Sequence, residues 1–186
     1  MKLIILDRDG TINEDSDDYI KSPDEWVPLP GALQAIARLN QAGWHTVVAS
    51  NQSGLGRGLF DISTLNAIHE KMHKQLAALG SRLDAIFFCP HTPDDNCKCR
   101  KPLSGLFEQI LQRTGADAST VLCVGDSLRD LEAAVAAGCQ PHLVLTGKAI
   151  QLRGQTLPPN YPVHTTVHQD LPAFANFVIQ RDKVKV

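Results

Sequence analysis

Two aspartates one residue apart, Asp7 and Asp9, close the short apolar run Ile4-Ile5-Leu6 and lead into Gly10 and Thr11. Apolar β-formers ending in Asp, Asp and Gly read as a buried strand passing into a turn. In open α/β sheets, ligands bind at the carboxyl ends of strands. Two carboxylates held that close repel each other unless a proton or a cation lies between them. A hard divalent ion such as Mg²⁺, which takes few carboxylates and keeps water and phosphate oxygens, meets that need. An isolated Asp-x-Asp is more often a solvated turn, so neighbouring segments must decide.

Three other segments bear on the choice. The apolar stretch 121–124 runs into Gly125-Asp126-Ser127-Leu128-Arg129-Asp130, again a strand, an acid and then a helix. Alone, Asp126 could be an N-cap and Asp130 a favourable charge in the first helical turn. Beside Asp7 and Asp9 at a neighbouring strand end, Asp126 supplies a third carboxylate for Mg²⁺. Ser50-Asn51-Gln52-Ser53-Gly54 follows another candidate strand and offers hydroxyl, amide and backbone N–H groups to an anion. Arg100-Lys101-Pro102 sets two cations before a helix. Most such pairs are simply solvated, yet a carboxylate and metal site acting on a phosphoryl group wants a fixed positive charge.

A second constellation is Cys89-x-His91 followed by Cys97-x-Cys99, in a segment, 89–102, with no hydrophobic periodicity of its own. Three thiolates and one imidazole suit a closed tetrahedral Zn²⁺ site with a structural role. Cys123 and Cys139 read as packing residues.

The elements that must position these groups alternate. Strands are expected near 4–6, 45–49, 83–88, 121–124 and 142–145, and helices near 31–42, 63–79, 106–114, 128–137 and 172–180. Polar segments 15–30 and 50–58 and the stretch 151–164 read as loops, the first of them over the end of the sheet. That order predicts an α/β chain, a Rossmann-like doubly wound parallel sheet. Its 186 residues suggest one domain, 1–186. With 43% hydrophobic and 20% charged residues, nothing points to disorder or a coiled coil. A net charge of −2 is too small to imply a nucleic-acid or membrane partner. The apolar run after Met1-Lys2 is too short for a signal-peptide core or a spanning helix, which predicts a cytoplasmic protein with its cysteines as thiols or metal ligands. No apolar stripe calls for a partner, so a monomer is expected.

Taken in chain order, the four segments resemble the four motifs of the haloacid dehalogenase superfamily of phosphatases, over residues 7 to 130. The resemblance implies that fold, without a large cap domain, so that loops 15–30 and 54–59 and the zinc loop shape the pocket. It implies Asp7 as the nucleophile that forms an aspartyl phosphate, and Asp9 as general acid and base. Ser50 and Lys101 would hold phosphoryl oxygens, and Mg²⁺ would sit on Asp7, Asp9 and Asp126, with Asp130 orienting Lys101 or a metal-bound water. The zinc loop beside the third motif narrows the resemblance to the branch acting on heptose 1,7-bisphosphate and histidinol phosphate. DRDGTIN, SNQSGLGRG and CRKP are most similar to its heptose members. By that likeness Arg8, Asp15, Ser16, Asp17, Asp18, Asn51, Gln52, Ser53 and Arg100 contact substrate. The reaction implied is Mg²⁺-dependent removal of the C7 phosphate in nucleotide-activated heptose and lipopolysaccharide core synthesis, with histidinol phosphate as the alternative substrate. Ser127 stands where some heptose enzymes have a lysine, and segment 15–19, Asp-Ser-Asp-Asp-Tyr, lacks a glycine often found there. A zinc-dependent binding module on an inactive scaffold is a different class of reading. The neutral charge and the full set of catalytic candidates argue against it.

Overall fold

The four residues Leu3–Leu6 (β1) are all buried and alternate between two apolar layers: Ile4 and Leu6 join one core cluster, Leu3 and Ile5 the other. A strand apolar on both faces belongs in the middle of a parallel sheet covered on both sides. The computed structural model, which describes residues 1–184, shows that arrangement. With β1 run His45–Asn51 (β2), Ala85–Cys89 (β3), Leu122–Gly125 (β4), Gln140–Val144 (β5) and Thr166–His168 (β6). All pair in parallel, in the order β3-β2-β1-β4-β5-β6. This is the doubly wound order, whose switch point lies between β1 and β4.

The helices are Ala32–Gln41 (α1), Ser53–Gly56 (α2), Ile62–Ala77 (α3), Gly105–Thr114 (α4), Leu128–Ala136 (α5) and Leu171–Val184 (α6). One core layer gathers residues of α1, α3 and α6, including Ile36, Ile68 and Phe174. The opposite layer gathers α4 and α5 through Leu106, Ile110 and Ala133. Among the described residues no helix is long and apolar enough to cross a membrane.

The loop 15–30 is not loose. Trp26 is fully buried, Lys71 of α3 donates to the Pro23 and Trp26 carbonyls at 2.7 and 2.9 Å, and Asn13 bridges to Pro28. The chain turns left-handed at Tyr19, with φ of 66°, in the segment that lacks the glycine. The sixth strand is absent from the sequence reading because only one of its three residues, Val167, is a strong apolar β-former.

That strand carries His168 onto His142 of β5: Nδ1 and Nε2 lie 3.0 Å apart, the rings stack, and Phe174 and Phe177 pack around them. Burial pushes the two imidazoles down to about 3 for His142 and about 4 for His168. The unfolded chain binds these protons near pH 6.5. Between there and pH 4 it holds more protons than the folded chain, so stability falls as pH falls. The melting temperature is expected to drop between pH 7 and 5, and to drop less in a His142→Gln/His168→Gln variant. Parallel slopes would show that the pair is not the source.

Candidate active site

Asp7 follows β1 and Asp126 follows β4, and because these strands are neighbours the two acids meet at the switch point. Register is held across the turn by the Asp7 amide, which donates to the Val124 carbonyl at 2.9 Å. Asp126 rests against the bare Cα faces of Gly10 and Gly147, where an added Cβ would collide with its carboxylate. Its Oδ2 accepts from the Lys148 amide at 2.7 Å.

Lys101 is 3% exposed and commits its ammonium to Asp7 Oδ1 at 2.8 Å, Asp130 Oδ1 at 2.6 Å and the Ala49 carbonyl at 2.7 Å. Asn51 fixes the backbone of Lys101 with two bonds of 3.0 Å, one from its amide to the Lys101 carbonyl and one accepted from the Lys101 amide. Ser127, not Asp126, is the N-cap of α5. Asp130 completes its capping box, with Oδ2 accepting from the Ser127 amide and hydroxyl. Asp130 therefore has one oxygen on the helix cap and one on Lys101, which fits an orienting part.

Three carboxylates, Asp7, Asp126 and Asp130, present oxygens within 4.8 Å of one another, and the Lys101 ammonium pairs with two of them, Asp7 and Asp130. The consequence shows in their acidity. Burial, and then the charge of Asp130, raise Asp7 to about 6 even though Lys101 pulls it down. Burial and the charge of Asp7 raise Asp126 well above the usual carboxylate range. Such a cluster is short of positive charge and fits a hard divalent cation held by Asp7 and Asp126.

Asp9 is handled differently. Arg8 Nε donates to its Oδ1 at 2.8 Å, Asn13 Nδ2 to the same oxygen at 2.9 Å, and Gln52 Nε2 to Oδ2 at 3.2 Å. Despite burial, these donors and the Arg8 charge hold Asp9 below its ordinary value. Gln52 also donates to the Ser50 hydroxyl at 2.8 Å, tying the second segment to the first.

These groups floor an open cleft of about 310 Å³. The expected residues Asp15, Ser16, Asp17, Ser50, Asn51, Gln52, Ser53 and Arg100 line it. Two expected substrate contacts do not. Arg8 is fully buried behind Asp9, and Asp18 is exposed outside the cleft lining. Tyr19, Ile20, Arg129 and Lys148 line the cleft without having been singled out. Arg129 could have been found, since it lies three residues beyond Asp126 in the first turn of α5. Lys148 comes from a distant loop and carries no sequence signal; its ammonium pairs with Asp15 at 2.9 Å.

The expected zinc ligands also converge. Cys89 ends β3, and from it the His91 Nδ1, Cys97 Sγ and Cys99 Sγ atoms lie 3.5, 3.6 and 3.1 Å away, with His91 Nδ1 3.3 Å from Cys99 Sγ. A tetrahedron with Zn–S of 2.3 Å has S···S edges of roughly 3.8 Å, close to these separations. Burial and the neighbouring Cys99 thiol raise Cys89 to about 12.

Residues 12–138 match the haloacid dehalogenase-like hydrolase family. The chain belongs to that family. Among relatives of this hydrolase, the D-glycero-beta-D-manno-heptose-1,7-bisphosphate 7-phosphatase of Bordetella bronchiseptica is 58% identical, with 97% of this chain and 99% of the relative aligned. A Pseudomonas aeruginosa protein of the same name is 50% identical over 96% and 98% of the two chains. The crystal structure of D,D-heptose 1,7-bisphosphate phosphatase from B. bronchiseptica, complexed with magnesium and phosphate, superposes with a TM-score of 0.93, over 97% of this hydrolase and 99% of that chain.

Proposed function

We propose that this phosphoric monoester hydrolase removes the C7 phosphate of D-glycero-β-D-manno-heptose 1,7-bisphosphate, leaving heptose 1-phosphate for nucleotide-activated heptose and lipopolysaccharide core synthesis. The observation that carries the reading is the switch-point cluster, with Asp7 and Asp126 beside Lys101 at the floor of a polar cleft. The relatives' names supply the substrate and its anomer.

Asp7 attacks phosphorus and becomes an aspartyl phosphate, dividing one displacement into two. Asp9 protonates the departing C7 oxygen and then takes a proton from the hydrolytic water. Lys101 and Ser50 bind the equatorial phosphoryl oxygens, with Asp130 and Asn51 keeping Lys101 in place. Asp7, Asp126 and the Asp9 carbonyl would hold Mg²⁺, whose charge would offset the repulsion between the anionic nucleophile and the anionic phosphate. Arg100 and Arg129 face the same cleft and suit the distal phosphate. Arg129 thereby supplies a cation two residues beyond Ser127.

The proposal extends to Zn²⁺ in the Cys89, His91, Cys97 and Cys99 cage as a structural ion. It takes the enzyme to be a single-domain monomer in the cytoplasm, where its five cysteines, none of them in a disulfide, stay reduced. Phosphate release with Mg²⁺ from both anomers and from histidinol phosphate tests the assignment. A kcat/KM at least about a hundredfold higher for the β-heptose is expected, a difference worth about 2.7 kcal/mol in the transition state. A preference for histidinol phosphate would overturn it.

A further inference from the structure

We propose that Arg8 and His69 are positioning residues for Asp9: a buried imidazole fixes a buried guanidinium, which fixes the carboxylate that carries the proton. Arg8 is fully buried and its fork spans two partners. Nε and Nη2 reach the two Asp9 oxygens at 2.8 and 3.2 Å, while Nη1 lies 3.0 Å from His69 Nε2. Guanidinium has donors only, so His69 Nε2 must accept, which fixes a neutral imidazole with its proton on Nδ1. His69 is 7% exposed on α3 and lies outside the cleft lining, so its hold on the site runs through Arg8. A lysine could not replace Arg8, since one ammonium cannot span both carboxylate oxygens and the imidazole in a plane.

The inference rests on the reading of Asp9 as general acid. Its effect is to orient that acid from behind, leaving the cleft side of the carboxylate to the substrate. Loss of the imidazole should therefore weaken proton delivery to a poor leaving group and spare a good one.

The test compares kcat/KM, which stops at departure of the leaving group, on heptose 1,7-bisphosphate and on 2,4-dinitrophenyl phosphate, whose phenolate leaves unprotonated. General acid–base catalysis is worth about 10²–10⁴-fold. His69→Leu is expected to lose about tenfold to a hundredfold of that on the sugar phosphate and less than about twofold on the aryl phosphate. His69→Gln, which retains an acceptor, should recover most of the loss, and Arg8→Lys should show the same selective defect if His69→Leu folds poorly. An equal loss on both substrates, or no loss on either, would overturn the positioning role. Asp9→Asn is the separate control. If it too loses equally on both substrates, the acid assignment itself is wrong.

Discussion

Asp7→Asn is expected to lower kcat by at least about 10⁴-fold, the scale on which removal of an attacking side chain is felt, while leaving the fold intact. Asparagine keeps an oxygen that can accept from Lys101 Nζ, now 2.8 Å from Asp7 Oδ1, but an amide does not attack phosphorus. Stability should move the other way. Asp7 is raised to about 6 in the folded protein, against about 3.9 unfolded. Between those values the folded state binds more protons, so its stability declines as pH rises through that window and the charged carboxylate is a cost at pH 7. In metal-free buffer the variant should therefore melt at or above the parent temperature at pH 7, with the advantage vanishing near pH 4. Phosphate release at the parent rate would end the nucleophile assignment. Melting well below the parent at pH 7 would show that Asp7 is a structural anchor.

Cys97→Ser is expected to strip zinc and to lower the melting temperature by about 10 °C. Structural zinc sites bind with roughly 10–16 kcal/mol of apparent free energy. For a chain of this size each 1 kcal/mol lost moves the midpoint by about 2–4 °C, so forfeiting a third of it suffices. The damage should reach chemistry as well, because Cys99 stands two residues before Lys101 and the same short segment presents Arg100 to the cleft. Chelation of the parent protein should reproduce the shift. Metal analysis by mass spectrometry decides the matter: an unchanged zinc-to-protein ratio in Cys97→Ser would remove zinc from the account.

Much of this architecture is legible from period and punctuation. The strands around 45–49, 121–124 and 142–145 fall within two or three residues of β2, β4 and β5, because buried parallel strands are short apolar runs bounded by Gly, Asp and Ser. What period cannot show is where a polar side chain spends its bonds. Asn51 and Gln52 read as ligands for substrate, yet one clamps the Lys101 backbone and the other joins Asp9 to Ser50. The family likeness places Arg8 among the substrate contacts, whereas its guanidinium is buried behind Asp9 and reaches His69 of α3. His69 and Lys148 come from elements that carry no motif, and only the folded chain brings them near the acids.

Order of synthesis gives the switch point a further meaning. Asp7 and Asp126 belong to adjacent strands but are made more than a hundred residues apart, so no growing chain can close the acidic cluster until β4 has left the ribosome. The zinc ligands are complete at Cys99, about 27 residues earlier than Asp126. At roughly 5–20 residues per second that is an interval on the order of seconds in which the third-motif lysine can be set in place while the nucleophile still lacks its partner. A chain cut before β4 carries all four of the proposed zinc ligands but lacks Asp126, and is expected to turn over no phosphate.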